Sequence, residues 1–230
     1  MYLILFLCFT GVFLVSATLQ VIGYCRRIAI IDYISKPMMY AFLIAAAVFA
    51  LIPRLPDSFN ILFCTCFSLG LGMATSCLLF APKRKRFLIT SMLCFILSSF
   101  GWLCLIWPSF RLFTPNPYIT TGLIILYLTA LALFIALVIG NKGIFKISCI
   151  LIYLLPILLF HYATVLTVLG QPKLYSFILT AGSTSLLVSQ GFIVKAFFKK
   201  ASPSERFART LIFVFSQLFI TAGFILMISL

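Results

Sequence analysis

The sequence predicts an all-α polytopic membrane protein, a helix bundle of about eight transmembrane segments with both termini outside. Three observations predict this class: a hydrophobic fraction of 64% with only 9% charged residues, apolar segments of membrane-spanning length, and basic residues confined mainly to alternate loops. A soluble domain averages about half apolar and a quarter charged residues. A soluble fold of 230 residues would leave too much apolar area in water, so soluble and disordered classes are excluded.

Eight apolar segments make up the predicted bundle, because a bilayer core of roughly 30 Å needs about 20 apolar residues per helix. In chain order they are 3–22, 37–52, 60–81, 87–107, 118–140, 147–169, 174–198 and 210–230. Proline, glycine or charged residues occupy every break between them. The first segment has no basic start and is longer than the apolar run of a signal peptide, about 7–15 residues, so it is predicted to stay as a helix. Residues 1–230 are therefore predicted to form a single integral membrane domain.

The basic residues predict the orientation. Fourteen of the seventeen lie in alternate breaks or at the segment ends beside them: 26, 27, 36, 83–86, 142, 146, 195, 199, 200, 206 and 209. The other side has only Arg54, Arg111 and Lys173. Because cytoplasmic loops carry the excess of lysine and arginine, the basic loops are predicted to be cytoplasmic. The same rule attributes the net charge of +14 to topology, and nucleic acid is not expected as a partner.

Ionisable residues inside the segments are few, and this limits the chemistry. The three acids, Asp32, Asp57 and Glu205, fall in breaks or at segment ends, and His161 is the only histidine. A three-histidine zinc site is impossible, and the cysteines lack the usual spacing of zinc ligands. There is no P-loop and no G-x-S-x-G elbow. We therefore expect no metal and no cofactor, and an acidic proton relay across the bilayer is not predicted.

Two interpretations of His161, in the sixth segment, stay open. It can hydrogen-bond a neighbouring hydroxyl in a structural role, or it can act as a general acid or base. Gln190 and Gln217, in the last two segments, need partners in other helices or in a polar pocket. Small residues recur at four-residue spacing and predict close packing of the third and seventh segments. They are Gly72, Ser76, Ser185 and Ser189.

Four short motifs occur in a common order along the whole chain. They are Ser35-Lys36-Pro37, the 71–82 run that ends at Pro82, the 182–190 run that ends in Ser189-Gln190, and Ser216-Gln217-Leu218. Together they resemble the lysoplasmalogenase (YhhN-like) family, an eight-helix membrane group that hydrolyses the vinyl-ether bond of lysoplasmalogens. The resemblance implies a lipid substrate and implicates Lys36, Ser76, Gln190 and Gln217 as substrate-binding residues.

The departures from the family pattern affect catalysis. By the resemblance, the family aspartates of the third and seventh helices fall on Ser76 and Gln190, and a histidine of the fourth helix falls on Ser99. Vinyl-ether hydrolysis begins with protonation of carbon and passes through a cation that a carboxylate stabilises. Neither serine nor glutamine supplies a suitably acidic proton near neutral pH. No catalytic residue is assigned, although Asp32 or His161 remain as rearranged alternatives.

Three functions follow as hypotheses. The first is a lysoplasmalogenase-like protein handling lysophospholipid, either active through rearranged residues or catalytically reduced and binding lysolipid. The second is a lipid-binding or lipid-moving membrane protein without chemistry. The third is a small-molecule transporter or an assembly partner of other membrane proteins. The expected partner is membrane lipid, with lysophospholipid as the favoured class, and the sequence leaves the oligomeric state open.

Overall fold

The computed structural model describes residues 2–26, 28–55, 58–80, 85–111, 116–139, 144–198 and 202–229. Within these ranges there are eight helices, each long and apolar enough to cross a membrane. They are α1 (Tyr2–Arg26), α2 (Ala29–Leu51), α3 (Phe59–Phe80), α4 (Lys85–Arg111), α5 (Pro117–Phe134), α6 (Ile144–Gly170), α7 (Leu174–Phe198) and α8 (Pro203–Ser229). The predicted fold class is confirmed, and the protein is a multi-pass membrane protein.

Several helices extend beyond the apolar segments that predicted them. α2 begins at Ala29 and runs through Pro37, where the apolar segment had been predicted to start. α8 begins at Pro203, a position that suits proline because its missing N–H would be unpaired in the first turn. Because α2 begins at Ala29, Lys36 lies inside a helix rather than in a loop. The hydrophobic pattern marks the part of each helix that lies in lipid, whereas the helix itself continues beyond that part.

Seven of the described helices form a ring in the order α1, α2, α3, α4, α6, α7 and α8, which closes on α1. α5 lies outside this ring, and no side chain within the described Pro117–Phe134 stretch is buried. A short π-helical segment, Ile135–Ile139, continues α5 and packs against α7. The outer position of α5 is consistent with its mostly apolar sequence.

Alternation of helix direction gives the bundle two ends. We call the end where α1 ends and α2 begins the basic end, because the basic loops belong to it, and the opposite end the far end. In the far half, aromatic side chains fill the interior of the ring. Trp102 stacks on Phe224 with ring centroids 5.5 Å apart, and Phe160 stacks on the same ring at 6.4 Å. All three are at most 1% exposed.

The α3–α4 interface is joined by serine and threonine hydroxyls. Ser98 Oγ donates to the Ser68 carbonyl at 2.7 Å, and Ser91 Oγ donates to the Thr75 carbonyl at 3.2 Å. A Cβ at Gly101 would lie 2.2 Å from Ser68 Oγ, so the helices approach closely only because residue 101 is glycine. Small residues thus permit close helix contacts, but these contacts join helices that follow each other in the chain.

The prediction that α3 and α7 pack closely is wrong. Across the described residues, α3 packs between α2 and α4, while α7 packs between α6 and α8. Gly72 of α3 contacts the Tyr40 ring of α2, and Ser189 of α7 donates to the Arg209 carbonyl of α8 at 3.5 Å. Four-residue spacing of small residues identifies a face that accepts a close neighbour but does not identify the neighbour.

Glu205 caps the first turn of α8. Its carboxylate accepts from the Ser202 backbone N–H at 3.0 Å, and Ser202 Oγ accepts from the Glu205 N–H at 3.2 Å. This reciprocal arrangement is a capping box. Glu205 also pairs with Lys195 of α7 at 2.5 Å. This acid therefore caps α8 and links it to α7, which is a structural role.

The orientation is a prediction that topology reporters can test. Lys85 begins α4 at the basic end, whereas Gly170 ends α6 at the far end. We expect a fusion at Lys85 to report the cytoplasm and one at Gly170 to report the opposite side, because of the basic-loop bias. Reports from one side at both positions would contradict the topology, and exchanged sides would contradict the orientation.

Candidate functional site

Gln190 of α7 is the polar side chain on which the candidate site is built. It is 1% exposed, and its Oε1 accepts a hydrogen bond from the Tyr153 hydroxyl of α6 at 2.5 Å. Its Nε2 is buried and has no hydrogen-bond partner among the described residues. Gln190 therefore has a satisfied acceptor and an unsatisfied donor within an apolar surrounding, where an unmade hydrogen bond is costly.

A second tyrosine, Tyr40 of α2, is the partner of Ser76, the candidate residue on α3. The Tyr40 side chain of α2 hydrogen-bonds the Ser76 side chain, and Ser76 Oγ also bonds the Gly72 carbonyl at 3.0 Å. A serine hydroxyl has one proton. Because that proton goes to Gly72, Tyr40 is the donor and Ser76 Oγ the acceptor. A Cβ at Gly72 would lie 2.7 Å from Tyr40 Cε1, so glycine makes room for the ring.

Tyr40 and Tyr153 connect the Ser76 side of the site, on α2 and α3, to the Gln190 side, on α6 and α7. Tyr40 is among the groups that act electrostatically on the Tyr153 phenol. Phe95 of α4 stacks on the Tyr153 ring with centroids 5.3 Å apart, and Phe213 of α8 meets the Tyr40 ring edge-on at 6.4 Å. We name the tyrosine–amide cluster for its four polar members, Tyr40, Ser76, Tyr153 and Gln190. Helices α2, α3, α6 and α7 supply its polar groups, and α4 and α8 add aromatic walls.

The depth of the tyrosine–amide cluster follows from residue numbering. Within the membrane spans, Gln190 lies six residues before Ala196, Tyr153 six after Ile147 and Tyr40 seven after Tyr33. At 1.5 Å per residue these positions lie roughly 9–11 Å inside the basic-end limits of their spans. The cluster therefore lies in the basic half of the ring, and the stacked aromatic side chains of the far half lie beyond it.

Lys36 and Gln217 are associated with the cluster through helical spacing. Lys36 is half-buried and precedes Tyr40 by four residues on α2, so the two lie on the same face of that helix. Gln217 is 4% exposed and follows Phe213, the ring that contacts Tyr40, by four residues on α8. Lys36 thus lies towards the basic end of the cluster, and Gln217 towards the far end.

The sequence prediction of the site missed both tyrosines. Ser76 and Gln190 were selected by the resemblance, but each makes its side-chain contact through a phenol on another helix. A signal was present, because a tyrosine in a membrane segment needs a partner for its hydroxyl when it is buried. Tyr40 stands four residues after Lys36, in register with it. Choosing Tyr40 and Tyr153 from nine tyrosines required the helix arrangement.

His161 belongs to a different polar group, on the side of the ring that faces α5. Its Nδ1 meets the Tyr127 hydroxyl of α5 at 2.5 Å, and its Nε2 meets Thr184 Oγ1 of α7 at 3.0 Å. The interpretation of a histidine bonded to a hydroxyl is confirmed, with Tyr127 and Thr184 as its partners. Tyr162, the next residue, contacts the Tyr127 ring edge-on. His161 therefore fastens α5 to the ring.

Ser99 has a local structural role, and the acids Asp32 and Asp57 lie outside the parts of the chain that the structure describes. Ser99 donates to the Phe95 carbonyl at 3.0 Å, a bond within α4. Among the described residues, no group of three His, Cys, Asp or Glu side chains could hold a metal ion. The side chain of Asp32 and all of Asp57 are outside the described parts of the structure. The site described here therefore offers neutral hydrogen-bonding groups.

No protein-family model, curated protein or solved structure matches this chain. What the observations establish is an eight-helix, all-α membrane protein with eight candidate spans.

Proposed function

We propose that this chain binds a lysophospholipid in the basic half of the helix ring, at the tyrosine–amide cluster. The observation that carries the proposal is the Gln190 amide, whose Nε2 is buried without a partner. A buried unsatisfied donor costs about 1–3 kcal/mol. A lipid oxygen placed against this N–H group removes that cost. Glycerol hydroxyl, ether and ester oxygens are all suitable acceptors.

The placement of charge supports a phosphate-bearing lipid. Lys36 lies in the first turn of the apolar part of α2, four residues from Tyr40. Four residues correspond to about 6 Å along the axis, and a glycerol unit spans a similar distance between its phosphate and its chain linkage. The headgroup phosphate is thus assigned to the Lys36 ammonium, and the linkage region to Gln190. The four motifs that resemble lysoplasmalogenases add Lys36, Ser76, Gln190 and Gln217 to the same interpretation.

A lysolipid fits this arrangement better than a lipid with two acyl chains. The ring interior beyond the cluster is filled by Trp102, Phe160 and Phe224. An acyl chain bound at the cluster therefore has to leave the ring sideways between helices. One chain needs a single exit, whereas two chains need twice the apolar volume.

The same residues support binding more than hydrolysis. Carbon protonation requires an acid stronger than a phenol of pKa about 10, and neither serine nor glutamine improves on it. His161, which remains as an alternative acid, is engaged by Tyr127 and Thr184. We therefore propose a catalytically reduced relative of the lysoplasmalogenases. We favour lipid binding over ion-coupled transport because the cluster consists of neutral groups that exchange no charge.

The charge of Lys36 gives a prediction for binding. Replacing Lys36 with alanine is expected to weaken lysophospholipid binding about tenfold, because a hydrogen bond to a charged group contributes about 1.5–3 kcal/mol. Titration calorimetry on the purified full-length protein in detergent, at low and high salt, measures the loss. Lys173→Ala is the matched control, because Lys173 is an exposed cation at the far end. An effect that persists at high salt marks a desolvated contact rather than diffuse attraction.

The outcomes separate the proposed function from its alternatives. Robust hydrolysis of a lysoplasmalogen by the wild-type protein would overturn the reduced-enzyme proposal, and Asp32→Asn would then be the first variant to assay. Absence of lysolipid binding would overturn the binding site. In a deletion strain, altered leaflet distribution of lysolipids would favour lipid movement, and an unchanged lipidome would favour a transporter or an assembly partner.

A further inference from the structure

Cys64 of α3 and Cys104 of α4 belong to two helices that pack closely against each other. The bond from Ser98 to the Ser68 carbonyl and the close approach of Gly101 to Ser68 set the register of this antiparallel pair. One helical turn towards the far end from that contact brings α3 to Cys64 and α4 to Cys104. Cys64 is four residues before Ser68 and Cys104 is three residues after Gly101, so each lies on the same side of its helix as that contact residue. The register therefore places the two cysteines at the same level on adjoining sides of α3 and α4.

The electrostatics agree with this placement, since Cys104 is among the groups that act on the Cys64 thiol. Both are free cysteines; Cys104 is exposed and Cys64 is half-buried. Cys104 lies three residues before the end of its span at Trp107, and Cys64 five residues after the start of its span at Phe59. At 1.5 Å per residue these depths are roughly 5 and 8 Å below the span ends. A small apolar reagent reaches such positions from the membrane interface.

We propose that Cys64 and Cys104 are a redox-active pair that forms a reversible interhelical disulfide by exchange with a small-molecule disulfide. The Cys104 thiolate attacks one sulfur of the reagent, forms a mixed disulfide and releases one reagent thiol. The Cys64 thiolate then attacks the Cys104 sulfur and releases the second reagent thiol. Two cysteine thiols are oxidised, the reagent disulfide is reduced to two thiols, and the two cysteine protons are taken up by those products.

The geometry of the helices favours the bond. A disulfide requires Cα atoms about 4.4–6.8 Å apart, and Gly101 lets the α3 and α4 backbones approach one turn away. Cys104 is the more exposed thiol and is therefore the one that attacks the reagent first. With the basic loops in the cytoplasm, the pair lies at the outward end, where disulfides persist. The proposal does not depend on lysolipid binding.

The test uses dithiodipyridine, an uncharged disulfide, on the purified full-length protein in detergent. One variant keeps only Cys64 and Cys104, with the other six of the eight cysteines replaced by serine. The matched control keeps only Cys66 and Cys104, since residue 66 is two positions along α3 and points to another side. The 64/104 variant is expected to release two thiopyridone molecules, to lose two hydrogen atoms in mass and to yield a linked peptide. The control is expected to gain a stable thiopyridine adduct.

Two results would overturn the proposal that Cys64 and Cys104 form a redox-active pair. Stable thiopyridine adducts on both Cys64 and Cys104 without a linked peptide would show that the thiols cannot meet. Equal linkage in the 66/104 control would show that helix motion, rather than the α3–α4 register, brings sulfurs together. Peptide mapping of the oxidised wild-type protein gives the same readout without the serine replacements, so a folding defect in the reduced-cysteine variants leaves the test intact.

Discussion

Replacing Gly182 with leucine is expected to lower the free energy of unfolding by about 2–3 kcal/mol, the usual cost of overpacking a tight contact. A Cβ at this position of α7 would lie 2.8 Å from the Ile220 backbone nitrogen and 3.1 Å from Phe219 Cβ of α8. A backbone atom cannot move aside as a flexible side chain can. The larger residue must therefore separate α7 from α8, which pack along much of their length.

The matched control is Gly122→Leu on α5, where a Cβ meets no atom within 4 Å. Thermal unfolding in one detergent, followed by circular dichroism, should show a fall of about 5–10 °C for Gly182→Leu and little change for the control. Leucine improves helix propensity equally in both, so the difference reports packing alone. Equal melting temperatures would mean that α7 and α8 do not approach at Gly182.

Removing the Tyr153 hydroxyl should destabilise the protein by about 1–3 kcal/mol, because Tyr153→Phe leaves the buried oxygen of the Gln190 amide without its hydrogen-bond donor. Combining Tyr153→Phe with Gln190→Leu removes both polar groups together. The double variant is therefore expected to return close to the wild-type stability. Chemical unfolding of the wild type, both single variants and the double variant closes the cycle and gives the interaction free energy.

Tyr118→Phe is the control for this cycle, since Tyr118 at the start of α5 is 85% exposed. Loss of the Tyr118 hydroxyl should leave the free energy of unfolding unchanged within experimental error. Strict additivity of the two single variants would contradict a hydrogen bond between Tyr153 and Gln190. A double variant less stable than Tyr153→Phe alone would likewise argue against the buried unsatisfied amide as a destabilising feature.

The sequence predicted the helices well because membrane burial acts on each segment independently. A run of about 20 apolar residues is long enough to span the bilayer whichever helices lie beside it. The errors occurred where local backbone chemistry prevails: α2 continues through Pro37, and Glu205 with Ser202 starts α8 earlier than its apolar stretch. Hydropathy does not register either effect.

Helix neighbours were the part that the sequence did not reveal. Every helix is apolar nearly all round, so no stripe distinguishes a ring face from a lipid face. The pairing of α3 with α4 and the position of α5 outside the ring follow from three-dimensional packing. The same reason explains why the sequence predicted only part of the candidate site. Lys36, Ser76, Gln190 and Gln217 were proposed from motifs, whereas Tyr40 and Tyr153 connect Ser76 to Gln190 only after α2 and α6 are placed.

The most direct test of the proposed binding site is calorimetric titration of a lysophospholipid into the wild-type protein and into Gln190→Leu. The change removes the one buried donor that the lipid oxygen is proposed to satisfy, so affinity should fall about five- to tenfold, or roughly 1–1.4 kcal/mol. Gln171→Leu, which replaces an amide in the turn before α7, should bind as tightly as the wild type. Equal affinity of Gln190→Leu and the wild type would contradict a lysolipid bound at the tyrosine–amide cluster.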